Sequence, residues 1–315
     1  KPTVRPGVLF SSNIFDAAPP ELRQHGRYLR VIQMLPKNYS IGIVSSGGKP
    51  FGADGPNTAW GAWGGQFLRG KSPTANTDVT WGDSAIFSGP ATSLTGPLAV
   101  KQVLGVVPLA ADGSICIKVP PCRMLYFQVL DEHHRAIHTM RSWVSLQPNE
   151  YRGCVGCHEQ HNRTPAARGA APARAPDTLE PPPWGVRSLS YVRDIQPVFE
   201  RACAACHSGK GEAVKALDLT LRPDPRGTAR WGGIFPEPYL TLLLGRDSAR
   251  AGGSCPGFGV SAGYVAVPNT ISTSYQTLPP LSCLSPRSRL IERAMDRRQC
   301  GRNLSRDDLR MLIAW

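Results

Sequence analysis

No stretch of the 315-residue chain approaches the ~18 consecutive apolar residues that a membrane-crossing helix needs, so none of its segments is expected to span a bilayer. The chain opens on Lys1, with no leading Met and no hydrophobic segment behind it, as expected of a processed or partial product. Acidic residues are scarce, 23 against 36 Lys and Arg, for a net charge of +13. That excess would suit a nucleic acid, an anionic lipid or an acidic protein. The basic residues are scattered, however, and no nucleic-acid motif accompanies them, so nucleic-acid binding is not expected. Long uninterrupted helical patterns are also missing. With 30 prolines and 32 glycines, the composition favours short strands, short helices and ordered loops. A 41% hydrophobic share is still enough for real cores, and the length allows two domains.

Cysteine is not scarce. Nine cysteines are many for a reducing cytosol and point to a periplasmic or extracellular protein. Cys116 and Cys122 flank a turn at Pro120-Pro121, and Cys255 and Cys283 bracket a Gly/Ser/Thr/Pro loop that a disulfide would tie down; Cys300 completes the isolated set. An odd total leaves one thiol over, and burial as a small apolar side chain is the alternative for each.

Period-two patterns mark the strands. Tyr28 to Leu35 reads as one, Ile115, Ile117 and Val119 alternate with Cys116 and Lys118, and Leu125, Phe127 and Val129 alternate with Tyr126 and Gln128. Asp112-Gly113 marks a turn, and the strands together imply a small β-sandwich. The Gly/Trp-rich stretch Gly47 to Gly70 reads as ordered loop. From Thr164 to Trp184 the chain is Ala/Pro-rich and aperiodic, as expected of an extended linker crossing a surface. Beyond it, Ile195, Val198, Phe199 and Ala202 fall at helical spacing. An apolar helix is predicted over Ser288 to Met295, and Ser305 with Asp308 forms a capping box for a last helix carrying Leu309, Leu312 and Ile313. The expected fold is α+β: a β-rich, sandwich-like domain over 1–162, a linker over 163–185, and a small helical domain over 186–315.

Four cysteines fall in two C-x-x-C-H motifs, Cys154/Cys157/His158 and Cys203/Cys206/His207. Thiols at this spacing reach the two vinyl groups of one porphyrin, and the adjacent His presents its imidazole to the iron. A zinc site would not require His directly after each second thiol, and a redox dithiol needs an α/β setting that the sequence lacks. Two haem c groups are therefore expected, with His158 and His207 as proximal ligands.

What fills the sixth position of each iron decides between electron transfer and chemistry on a small molecule. The histidines are His25, His133, His134, His138, His158, His161 and His207, and none follows the second motif. Distal candidates for the second haem are Met295, then Met311, Cys300, or a histidine from the first domain or a neighbouring subunit. For the first haem they are His133, His134 and His138, with His161 secondary.

The run from Pro108 to Glu159, with M-R-S-W-x-x-x-Q-P-x-E ahead of the first motif, resembles the hydrazine synthase alpha-subunit-like family. So do the Pro-rich linker, the V-R-D-I-Q-P-V-F lead-in to the second motif and the terminal L-S-x-x-D-x-x-x-L-I-x-W. The resemblance implies a β-rich middle domain holding one haem and a cytochrome c-like domain holding the other. In hydrazine synthase the first haem is catalytic, with a tyrosine on its iron shortly after the motif histidine. Here Glu159 to Arg163 holds Gln160, His161 and Asn162 instead. Relatives also carry a distal histidine near the position of Gln299 and Cys300, which this chain lacks. The function expected is a dihaem c-type cytochrome passing electrons between redox partners or along a homo-oligomer or filament of like subunits. The alternatives are a haem enzyme acting on small nitrogen compounds and a structural subunit of a larger respiratory complex.

Overall fold

The computed structural model describes residues 4–16, 18–35, 100–140, 142–156, 174–223, 236–245, 263–266, 279–296 and 303–315. Gly47 to Gly70, Cys157, His158, His161, Cys255, Cys300 and the first part of the Ala/Pro-rich linker lie outside the described residues. The fold is mixed α+β, as expected, with two sheets in the N-terminal half and short helices in the C-terminal part.

The strands are β1 (Gly7–Ser11), β2 (Tyr28–Leu35), β3 (Val100–Pro108), β4 (Ile115–Val119), β5 (Met124–Leu130), β6 (Ala136–Thr139) and β7 (Tyr151–Gly153). They form a three-stranded sheet in the order β4-β1-β7 and a four-stranded sheet in the order β3-β2-β5-β6. Alternation of side chains sends Leu9, Ile115, Ile117 and Val119 of the first sheet and Leu29, Val31, Leu125, Phe127 and Val129 of the second into one shared core. The sandwich read from period two is thus built by the residues that show it. Gly113, at φ +82, supplies the left-handed position of the turn before β4.

The described end of the linker is a strap. Asp177 exchanges backbone hydrogen bonds with Cys116 and Lys118 of β4, and Glu180 with Val106 of β3, so one segment ties an edge of each sheet. The approach to β3 is close: a Cβ on Gly105 would lie 2.6 Å from the Glu180 carbonyl oxygen.

A short helix, α1 (Pro20–His25), lies between β1 and β2; a π-helical turn, Tyr191–Ile195, opens the helical part and runs into α2 (Gln196–Ala202). There follow α3 (Ala204–His207), α4 (Glu212–Ala216), α5 (Glu237–Leu244), α6 (Arg289–Met295) and α7 (Arg306–Ala314). The Ser288 side chain caps α6, and the Ser305/Asp308 capping box opens α7. Ile195, Val198, Phe199, Leu242, Ile291 and Leu312 form a second core. Tyr191, Tyr239 and Trp315 pack together at its edge, with ring centroids 5.2 to 6.1 Å apart. The two halves meet along β6, where the Leu281 N–H donates to the Ile137 carbonyl at 2.9 Å and the Ala136 N–H to Ser285 Oγ at 2.8 Å. No helix of the described residues is long and apolar enough to cross a membrane.

Candidate functional site

The second C-x-x-C-H motif sits where α2 ends. The Cys203 N–H closes α2 on the Phe199 carbonyl at 2.8 Å, and the Cys203 carbonyl then accepts from the N–H of Cys206 at 3.1 Å and of His207 at 3.0 Å. One tight turn therefore carries all three side chains. Cys203 packs against the helical core, while Cys206 is exposed. Nδ1 of the His207 ring lies 2.8 Å from the Leu217 carbonyl oxygen. A carbonyl only accepts, so Nδ1 carries a proton, and in the neutral ring the lone pair is then on Nε2. The Leu219 N–H donates to the His207 carbonyl at 2.8 Å and fixes the same residue from its backbone side. The turn thus offers two thiols and one oriented imidazole nitrogen, the donor set of a covalently held haem. Among the described residues no three His, Cys, Asp or Glu side chains converge as a bare-metal site.

An ionic clamp holds the start of this helical lead-in. Asp194, 3% exposed, takes Arg187 Nη1 at 2.5 Å, Arg193 Nη2 at 2.9 Å and the Ser190 N–H at 2.7 Å. Burial alone would raise its carboxyl, but the hydrogen bonds from Arg193, Ser190 and Arg187 outweigh it and hold the group at about 2.

The first motif begins where β7 ends. The Cys154 N–H donates to the Phe10 carbonyl at 2.7 Å, extending the β1–β7 pairing by one residue, and the side chain packs against the core between the sheets. Inside the motif, a Cβ on Gly156 would lie 2.8 Å from the Asp16 carbonyl oxygen. That crowding explains the glycine in C-V-G-C-H. Trp143 and Tyr151, both exposed, flank this edge in sequence.

The other sequence-predicted ligands separate into groups. His133 is exposed and lies 3.8 Å from Glu132. His134, at φ +63, stacks its ring on Tyr28 with centroids 4.4 Å apart. His138 lies buried on β6 directly opposite the core-facing Val129, and the register shift between Val129 and Leu130 turns Ile137 beside it to the same side. The structure therefore places His138 on the core side of that sheet, the side that also receives Cys154. Met295 ends α6, partly buried against the same cluster as Cys203; Met311 of α7 packs there too.

With this geometry set out, comparison with known proteins supplies context for the first motif. Residues 27–159 match the hydrazine synthase alpha subunit middle domain family. The match takes in the first C-x-x-C-H motif, stops before the second and covers less than half of the chain. Among solved structures, the chain is similar to Kuenenia stuttgartiensis hydrazine synthase, with a TM-score of 0.57 and 14% identity. That alignment covers 100% of this chain and 43% of the other, so the chain spans under half of the hydrazine synthase chain it resembles. At such identity the likeness is one of fold. No curated protein matches the chain.

Sequence reasoning missed the groups that orient the motifs, because they are backbone carbonyls. Leu217 and Phe10 act through their oxygen atoms, and nothing in side-chain type marks such a role. The Asp194 clamp had a readable signal in the unlike charges of R-D within an otherwise apolar helix start.

Proposed function

We propose that the chain is a dihaem c-type cytochrome, with haem c attached at Cys154/Cys157 and at Cys203/Cys206, and that it passes electrons between redox partners or along like subunits outside the cytoplasm. The observation that carries this reading is the 2.8 Å contact between His207 Nδ1 and the Leu217 carbonyl. It leaves Nε2 free to act as a ligand and raises its basicity, as expected of a proximal histidine. A bound haem supplies a one-electron couple whose potential follows from its axial ligands and burial. Cys203, Cys206 and His207 would hold it, beside the apolar cluster of Phe199, Ile291 and Leu312 against which Cys203 packs.

Met295 is our assignment for the sixth position of the second haem, since it packs on the cluster that Cys203 also touches. His133, His134 and His138 stay candidates for the first haem, together with His161. The family match over 27–159 favours a second reading, in which the first haem is open to a small nitrogen compound and the second feeds it electrons. The two readings differ in the spin state of the first iron.

Intact-mass spectrometry of denatured protein from a host that matures c-type cytochromes tests attachment. The expected result is a mass increase of two haem groups, falling to one in the Cys203→Ser, Cys206→Ser double variant. A holoprotein with no covalent haem would overturn the reading. For Met295→Ala, we expect loss of the methionine–iron charge-transfer band in the oxidised spectrum; an unchanged band would remove Met295 from the assignment.

A further inference from the structure

Gln196 is a long polar side chain at the start of α2, set between Ile195 and Pro197, and it is only 1% exposed. The π-turn ahead of it closes on this residue: the Gln196 N–H donates to the Tyr191 carbonyl, which fixes the backbone from which the side chain starts. Its neighbours decide which way the amide lies. Nε2 is 3.0 Å from the Leu219 carbonyl oxygen and 3.2 Å from Oε1 of Glu200, one turn further along α2. Both are acceptors, so the NH2 end of the amide faces them. Oε1 is left buried with no hydrogen-bond partner among the described residues. A buried carbonyl without a donor is unfavourable, and a leucine or methionine would fill the same space without one. Filling the core does not explain this glutamine, and its amide N–H groups are what the position retains.

Those N–H groups hold the segment that in turn holds His207. Leu217 and Leu219 are both buried in the helical core. The Leu217 carbonyl oxygen lies 2.8 Å from His207 Nδ1, and the Leu219 N–H donates to the His207 carbonyl at 2.8 Å. Residues 217–219 therefore grip the ring and the backbone of one histidine. Beyond it the chain is fastened to α5: Asp218 accepts from the Thr220 N–H at 2.9 Å and from Arg222 Nη1 at 2.7 Å, and Arg222 also pairs with Glu237. Gln196 ties the same segment to α2. That helix thus reaches His207 twice, along the chain through the motif turn at Cys203 and through space by way of Gln196 and Leu219.

We infer that Gln196 is a positioning residue for the second haem, whose amide fixes the 217–219 segment against α2 and so sets the hydrogen bond that orients His207. The inference rests on the function proposed above, in which His207 is the proximal ligand. The bond from Nδ1–H makes Nε2 a more basic donor, and a more basic donor favours ferric iron. Loosening the segment therefore weakens that donor and raises the reduction potential of the second haem.

The experiment compares the holoprotein with Gln196→Met and Gln196→Leu, two variants that remove the amide and nearly keep its volume. Spectroelectrochemical titration reads the potential of each haem, the second being the one that disappears in the Cys203→Ser, Cys206→Ser double variant. Amide hydrogen exchange followed by NMR reads the Leu219 N–H. In both variants the ferric-to-ferrous ratio of the second haem at a fixed electrode potential falls at least threefold, and that of the first haem is unchanged. The Leu219 amide exchanges at least tenfold faster, while the Cys203 amide, bonded to Phe199 within α2, keeps its wild-type rate. Leu125→Ala, which weakens the other core, leaves the potential of the second haem where it was. A glutamine with a merely structural role would lower the unfolding midpoint and move no potential. Variants that carry both haems and show an unmoved second potential overturn the inference and leave the cytochrome reading intact, as does a Leu219 amide that keeps its wild-type exchange rate. Wild-type protein without covalent haem overturns the cytochrome reading itself, and this role with it.

Discussion

Replacing Asp194 by Asn removes the charge that two arginines and a backbone N–H share at the entrance to the helix that leads into Cys203. The clamp holds its carboxyl at about 2 in place of the ordinary 3.8, which corresponds to roughly 2 kcal/mol of stability at neutral pH. Asn returns one acceptor but leaves Arg187 and Arg193 beside a neutral, 3% exposed side chain. The expected loss is therefore about 2 to 4 kcal/mol. The sign with pH follows from the lowered carboxyl. Its contribution is complete above the unfolded value near 4 and is lost as pH falls toward 2, so the gap between wild type and Asp194→Asn should be full at pH 7 and mostly closed by about pH 2. Urea unfolding followed by far-UV circular dichroism at several pH values measures this. A gap below about 0.5 kcal/mol at pH 7, or one that stays constant down to pH 2, would refute the clamp.

The capping box at Ser305 makes Ser305→Ala about 1 kcal/mol less stable, read in the same unfolding assay, because the Asp308 N–H loses its acceptor at 3.0 Å. Leu125→Ala, at a fully buried position between the sheets, is expected to lose about 2 to 5 kcal/mol in urea unfolding. Gly113→Ala strains a φ of +82 and puts a Cβ 2.4 Å from Asn13 Oδ1, so its thermal midpoint falls, whereas Gly185→Ala, with nothing near its Cβ, pays only the φ strain and falls less. His207→Ala keeps covalent haem by mass but loses the low-spin optical bands of the second haem.

Much of this fold is legible in the sequence because its signals are local. Ile115–Val119 and Leu125–Val129 alternate with period two, and the structure turns that alternation into two sheet faces meeting in one core. Ser305 and Asp308 read as a capping box and form one. The helix ahead of Cys203 follows from apolar spacing alone, although its first turn is a π-turn, which spacing does not distinguish. Less legible are features made by distant partners. The strap at Asp177 and Glu180 looks like plain linker, since its hydrogen bonds run through the backbone to β4 and β3. His138 reads as a ligand candidate by sequence proximity to the first motif, but its facing is set by a bulge opposite Val129 that turns both Ile137 and His138 to the core side, which sequence spacing does not reveal. Arg30 stands out in the sequence as a lone charge in an apolar strand; that neutral acceptors, Gln128 and the His134 carbonyl, meet it among the described residues depends on neighbours that only folding brings together.

The most direct test of the cytochrome assignment is low-temperature electron paramagnetic resonance of the oxidised holoprotein. We predict two low-spin ferric signals of similar weight, both unaltered by nitric oxide or hydroxylamine. A single haem signal would contradict the dihaem assignment, and a high-spin signal that either ligand converts would contradict electron transfer as the role of that haem.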